Sequence, residues 1–167
     1  MSHPKFELKS ISEGAIPAAL DKAERYRLLN DPEQAESICR DVLRVDGDNQ
    51  AAIRCLVLSL TDQFAGGGNH GSAREARSLV GQLPDEYERA YMLGLVAERE
   101  ARALLARHGV QSAAYHGFRE AMERYEEAEG LRASGNDEAL LRWNSCVRTI
   151  EQHRLEPEGD ERELPLE

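Results

Sequence analysis

The groups in this chain that could hold a metal, move a proton or attack a carbon are five histidines, 31 acidic residues and three cysteines. The histidines are His3, His70, His108, His116 and His153, and none stands four residues from another histidine or a cysteine. That spacing would put two ligands on one helical face, so no metal site is expected. Glu126 and Glu127 lie among arginines, and Glu120, Arg124 and Glu127 read as a solvated ion-pair lattice on a helix surface. A catalytic carboxylate needs a cleft that shifts its pKa, and no pattern marks one. Gly66-Gly67-Gly68 has no Lys-Ser or Lys-Thr after it, so it is a poor phosphate cradle. No strand–turn–helix elbow presents a nucleophilic serine. No catalytic residue and no cofactor is therefore expected, and the chain does not read as an enzyme. An enzyme or small-molecule binder is the remote alternative.

Cys39, Cys55 and Cys146 are odd in number, far apart, and each sits inside an apolar helical pattern, which reads as three buried, reduced thiols. Trp143, the only tryptophan, reads as an anchor packing the last helix onto the third hairpin, with a ligand-facing role as the alternative. Its neighbour Asn144 either makes a buried hydrogen bond to that hairpin or faces a groove.

The elements that would position these residues are helical throughout. Hydrophobic residues make up 41% of the 167 and charged residues 31%, with aromatics at only 5%, which suits aliphatic, alanine-rich helix packing better than a sheet sandwich. No run approaches the roughly 20 apolar residues of a membrane span, and Met1 to Ser10 has no apolar core of signal-peptide type, so a cytoplasmic setting without membrane contact is expected. The formal charge is −10, and Glu156 to Glu167, with six acids and one arginine, supplies −5 of it. Such a surface does not bind nucleic acid, which requires basic residues to release counterions.

Turn residues divide the chain into seven helices. The first runs from Ser12, a capping residue, through Pro17 to Leu29. Asn30-Asp31-Pro32 turns the chain, with Asp31 as a cap and Pro32 opening a helix that ends at Val45. The third spans Asn49 to Phe64, and a glycine loop separates it from a short fourth helix, where Ser72 and Glu75 form a capping box, ending near Gln82. The fifth covers Asp85 to Arg107, the sixth Ser112 to Arg132 and the seventh Asp137 to Arg154. Residues 1–11 read as an extension, 12–154 as one helical domain, and 155–167 as an acidic, disordered tail.

A repeat runs through these helices. Ala35, Cys39 and Val42 lie on one face of the second helix, as do Ala76, Val80 and Leu83 of the fourth and Ala121, Tyr125 and Ala128 of the sixth. Ala23, Val57 and Gly94 share a register in the preceding helices, and Ala23 to Val57 is 34 residues. With that period, the Asn30-to-Asn49 turn-helix-turn and Tyr91-Met92-Leu93-Gly94-Leu95-Val96, the chain resembles the tetratricopeptide repeat family. Gly47 stands where the family usually has proline, and the second and third units carry seven and fifteen extra residues between their small positions. Gly135 to Arg148 is also similar to a segment of bacterial tetratricopeptide proteins, a likeness of lineage and not of activity.

The resemblance implies an all-α, right-handed superhelical solenoid of about three helical hairpins plus a C-terminal capping helix. It implies a protein-interaction module, an adaptor or scaffold, whose concave groove takes a peptide or helix of a protein partner. The residues that would line it are Leu20, Glu24, Arg27, Leu28, Arg54, Leu58, Thr61, Tyr91, Leu95, Glu98, Ser145 and Arg148, a mixed face suited to apolar anchors with some acidic character. Glu24, Leu58 and Leu95 stand where a clamp for a chain terminus would need polar donors, so that mode is not expected. Self-association as a homodimer, through Leu104, Leu105 and Tyr115, is the alternative.

Overall fold

A computed structural model of the chain describes residues 5–66, 71–107 and 110–158. Every regular element among the described residues is helical. A short 3-10 turn, Glu13–Ala15, leads into α1 (Ile16–Leu28), followed by α2 (Pro32–Val45) and α3 (Gln50–Asp62). A second 3-10 turn, Phe64–Gly66, precedes α4 (Gly71–Val80), α5 (Glu86–Leu105), α6 (Gln111–Leu131) and α7 (Glu138–His153). No described helix is long and apolar enough to cross a membrane.

The helix ends follow from local chemistry. Asn30 adopts a left-handed φ of 60° after α1. Its N–H then bonds the Arg27 carbonyl at 2.9 Å and the Asp31 N–H bonds that of Tyr26 at 2.8 Å, satisfying two carbonyls the helix leaves open. Asn49 caps α3 by accepting from the Ala52 N–H at 2.9 Å, and Asp85 caps α5 through the Glu88 N–H at 2.9 Å. Two expected caps do not form. Asp31 leaves the preceding turn at φ −120°, ψ 66°, outside the extended conformation that aims a side-chain oxygen at the first helical N–H groups. Ser12 closes its 3-10 turn with its backbone carbonyl, which accepts from the Ala15 N–H at 3.0 Å, and its side chain makes no capping bond.

The chain divides into two compact units, Met1–Gln63 and Phe64–Glu167, a division inside the stretch read as one domain. In the first unit α1, α2 and α3 all touch one another. Ala23 and Ala35 are fully buried, as close helix packing requires, and Val42, Ile53, Leu56, Val57 and Leu60 are buried as well. Each buried Leu, Ile or Val contributes about 1.5–3 kcal/mol.

In the second unit α5 packs along α6, α6 along α7, and α4 against α5. Ala97, Ala101, Ala114, Phe118, Ala121, Tyr125, Ala128, Ala139 and Cys146 form its core. Two glycines permit the α5–α6 approach. A Cβ on Gly94 would stand 2.6 Å from the Tyr125 ring, and one on Gly117 would stand 2.9 Å from the Ala101 Cβ. Helix α7 ends with Arg154 in the left-handed region (φ 51°). The Leu155 N–H then bonds the Ile150 carbonyl at 3.0 Å, and the Leu155 side chain is buried in the core. The acidic stretch beyond residue 158 and the second and third glycines of the loop lie outside the described residues.

Candidate functional site

Glu98, in the middle of α5, is 1% exposed. Its Oε2 accepts the Tyr125 hydroxyl at 2.5 Å, from α6. Its Oε1 accepts from Arg102 Nε at 3.0 Å and Nη2 at 2.8 Å, one helical turn on. Arg142 Nη1, from α7, lies 3.6 Å from the same oxygen. An ionised carboxylate at this depth costs several kcal/mol in lost hydration, which these donors offset.

Arg102 is held from three helices. Besides Glu98, it donates to Thr149 Oγ1 at 3.2 Å and Ser145 Oγ at 3.0 Å on α7, and its guanidinium carbon lies 5.5 Å from the centre of the Phe118 ring of α6. Against the effect of burial, the Tyr91 hydroxyl and the Glu98 charge beside it raise the Arg142 guanidinium above its ordinary range. Tyr91 in turn sits in an aromatic row, with ring centres 6.0 Å from Tyr87 and 5.9 Å from Tyr125. One buried carboxylate thus organises two guanidinium groups whose side chains remain 39% and 41% exposed. The set of Glu98, Arg102 and Arg142 carries a net +1 on a chain whose total is −10.

Burial, followed by the Glu98 charge, holds the Tyr125 phenol above its ordinary range. The same two causes push the Cys146 thiol, fully buried beside them, up to about 12. Both groups therefore keep their protons to higher pH in the folded chain than in the unfolded one. The Cys146 contribution to stability is complete below the ordinary thiol value of 9.0 and is lost as pH rises from there towards 12, whereas that of Tyr125 starts to be lost only above the ordinary phenol value of 10.0. Stability should fall by about 1.4 kcal/mol per pH unit from Cys146 alone over that window. Urea midpoints at pH 8, 9.5 and 11 would measure the slope, and Cys146→Ala should flatten it; an equally steep fall in that variant would contradict the assignment.

The other two thiols lie in the first unit. Cys39 and Cys55 are buried and hydrogen-bonded to each other, and that bond, then burial, raises Cys39 far above the ordinary thiol range. All three cysteines are buried and free, as their apolar settings indicated.

The residues expected to line a groove fall into two sets. In the first unit, Arg27 donates from Nε to Asp62 Oδ2 at 2.9 Å, tying α1 to the end of α3, and lies 3.6 Å from Glu24. Arg54 donates to Gln50 Oε1 at 3.2 Å along its own helix. Leu20 and Leu58 are half-buried, and Leu28 is 85% exposed. Thr61 is buried, and its hydroxyl donates to the Leu58 carbonyl at 2.9 Å. In the second unit Leu95 and Glu98 are buried, Tyr91 and Ser145 are half-buried around the arginines, and Arg148 is exposed. Thr61, Leu95 and Glu98 accordingly have almost no exposed surface.

Arg102, Arg142 and Tyr125 went unnoticed as site residues in the sequence. Glu98 and Arg102 are four apart, a spacing that permits an ion pair, but nothing in sequence marks that pair as buried. Asn144 is exposed, which removes the buried hydrogen bond from the two alternatives. Trp143 does pack on the core, and its Nε1 donates to Glu126 Oε1 at 3.0 Å. Arg124 and Glu127 pair at 3.1 Å on the surface, whereas Glu120 lies 3.8 Å from Arg77 of α4. Leu104, Leu105 and Tyr115 are half-buried against the core.

Compared with the models of known protein families, the chain matches none, and no curated protein matches it.

Proposed function

We propose that this chain is a protein–protein interaction module, an adaptor or scaffold built from tetratricopeptide-type helical hairpins, and that the α5–α7 face of its second unit takes an acidic segment of a partner protein. The observation that carries this reading is Glu98 holding Arg102 and Arg142 in place. A buried ion pair is weak as a source of stability, because desolvation cancels most of the attraction. It is effective at fixing direction. Two half-exposed guanidinium groups, immobilised before a ligand arrives, lose little entropy on binding a carboxylate. Tyr91 and Ser145 border them, and exposed Arg148 adds a further cation on α7. A cytoplasmic setting belongs to this reading and is supported by the three free, buried thiols.

Affinity capture from the native lysate, with the parent chain and Arg142→Gln as baits, tests the proposal. One charge-assisted hydrogen bond is worth about 1.5–3 kcal/mol, so the variant should lose a partner's affinity by roughly tenfold to a hundredfold. A partner held equally by parent and folded variant would move binding away from this face. Recovery of the bait alone would turn the reading to self-association.

A further inference from the structure

We infer a second docking site on the same unit, a cleft between α6 and α7 that accepts a lysine or arginine side chain from a basic, partly apolar segment of another protein. The cleft has a volume of about 260 Å³ and is lined by Glu126, Glu129, Leu140, Trp143 and Asn144. That is below the roughly 300–1,000 Å³ of a small-molecule site and suits one side chain. It is distinct from the arginine face. On α7, Arg142, Ser145 and Thr149 point towards Glu98 and Arg102, whereas Leu140, Trp143 and Asn144 line the cleft.

Three observations select a cation. First, two carboxylates border the cleft. Glu126 has no basic partner among the described residues, and its Oε1 accepts only the Trp143 indole N–H. The nearest cation to Glu129 is Arg132 at 3.9 Å, which also lies 3.3 Å from Asp137. Second, the aromatic wall is tryptophan, the side chain that attracts cations most strongly, and its bond to Glu126 pins the ring beside that carboxylate. Third, the acidic character continues across α6. A neighbouring groove shares Glu126 and adds Glu86 and Glu127 around Leu93 and Leu131. Leu131 is 44% exposed there. Arg89, the basic residue of that groove, has Nη1 committed to the carbonyls of Leu83 at 2.7 Å and Pro84 at 2.9 Å. A cation in the cleft followed by an aliphatic residue over Leu131 matches both charge and polarity, and an acidic segment matches neither.

Trp143 is the only tryptophan in the chain, so its emission reports on this cleft alone. The full chain is titrated with a short peptide of alternating lysine and leucine, and in parallel with its glutamate–leucine counterpart. The lysine peptide should change Trp143 emission saturably, and the glutamate peptide should not. The double variant Glu126→Gln with Glu129→Gln keeps the shape of both exposed side chains and should weaken the lysine peptide at least tenfold. Arg142→Gln should leave that affinity unchanged, which separates this site from the acidic-partner face. The inference is overturned if the lysine peptide binds without altering Trp143 emission, which would place it on other acidic residues such as the tail, or if the double variant binds as the parent does. It is equally overturned if the glutamate peptide gives the same change, or if emission shifts with protein concentration alone, which would put a second copy of the chain in the cleft.

Discussion

Replacing Glu98 by alanine is expected to destabilise the second unit by about 3–5 kcal/mol, the cost of leaving buried ionic partners without their counter-charge. Arg102 would lose two of its hydrogen bonds and the Tyr125 hydroxyl its acceptor. Glu98→Gln is the informative companion. It keeps an oxygen for Tyr125 but removes the charge that opposes Arg102 and Arg142, and its cost should be nearer 1–3 kcal/mol. Urea denaturation followed by near-ultraviolet circular dichroism, which senses the Tyr87–Tyr91–Tyr125 row, would give both values. A loss below 1 kcal/mol for Glu98→Ala would show that the carboxylate is not bonded as described, and the positioning of the arginines would need another cause. Native folding with loss of acidic-partner binding in Glu98→Gln would be the clearest sign that the carboxylate serves orientation more than stability.

The second large effect concerns Gly94. Glycine to alanine inside a helix ordinarily gains about 0.5–1 kcal/mol, because the unfolded chain has less freedom to lose. Here the sign should reverse. The added methyl carbon would lie 2.6 and 2.7 Å from two ring atoms of Tyr125, far inside contact distance. The ring cannot swing aside freely, since it is buried and its hydroxyl is bound to Glu98. Overpacking of this kind costs about 1–3 kcal/mol. Thermal or urea unfolding of Gly94→Ala would measure it, and a more stable variant would mean that α5 and α6 are not as close as described. Combining Gly94→Ala with Tyr125→Leu provides a second check. The two changes should cost less together than their separate effects sum to, because the smaller side chain removes the clash.

Helix positions, and the faces that would be buried, were legible in the sequence. The small residues Ala23, Ala35, Ala76, Gly94, Ala121 and Ala128 all lie buried, since a residue's angle around its own helix depends only on spacing. The turn at Asn30 and the proline opening α2 are likewise local events, decided within a few residues, whereas the side-chain caps form at Asn49 and Asp85 and not at Ser12 and Asp31, where they are expected. The division at Gln63 was not legible, because it depends on which helices touch across long stretches of chain.

The same limit explains the candidate site. By sequence Glu98 belongs with Tyr91 and Leu95 on a groove-facing stripe, and a charged residue is normally solvated. Its burial depends on Tyr125, 27 residues later, and on Arg142, 44 residues later. Spacing cannot announce those partners, because they meet only when α6 and α7 pack against α5. Asn144 shows the converse: a polar residue on an otherwise apolar helical pattern stays exposed, at the border of the cleft between α6 and α7. The sequence by itself determined the helices and their apolar faces, through period and turn chemistry acting locally. Only the tertiary structure decided which polar groups were buried, because the energy that permits a buried charge comes from donors on other helices.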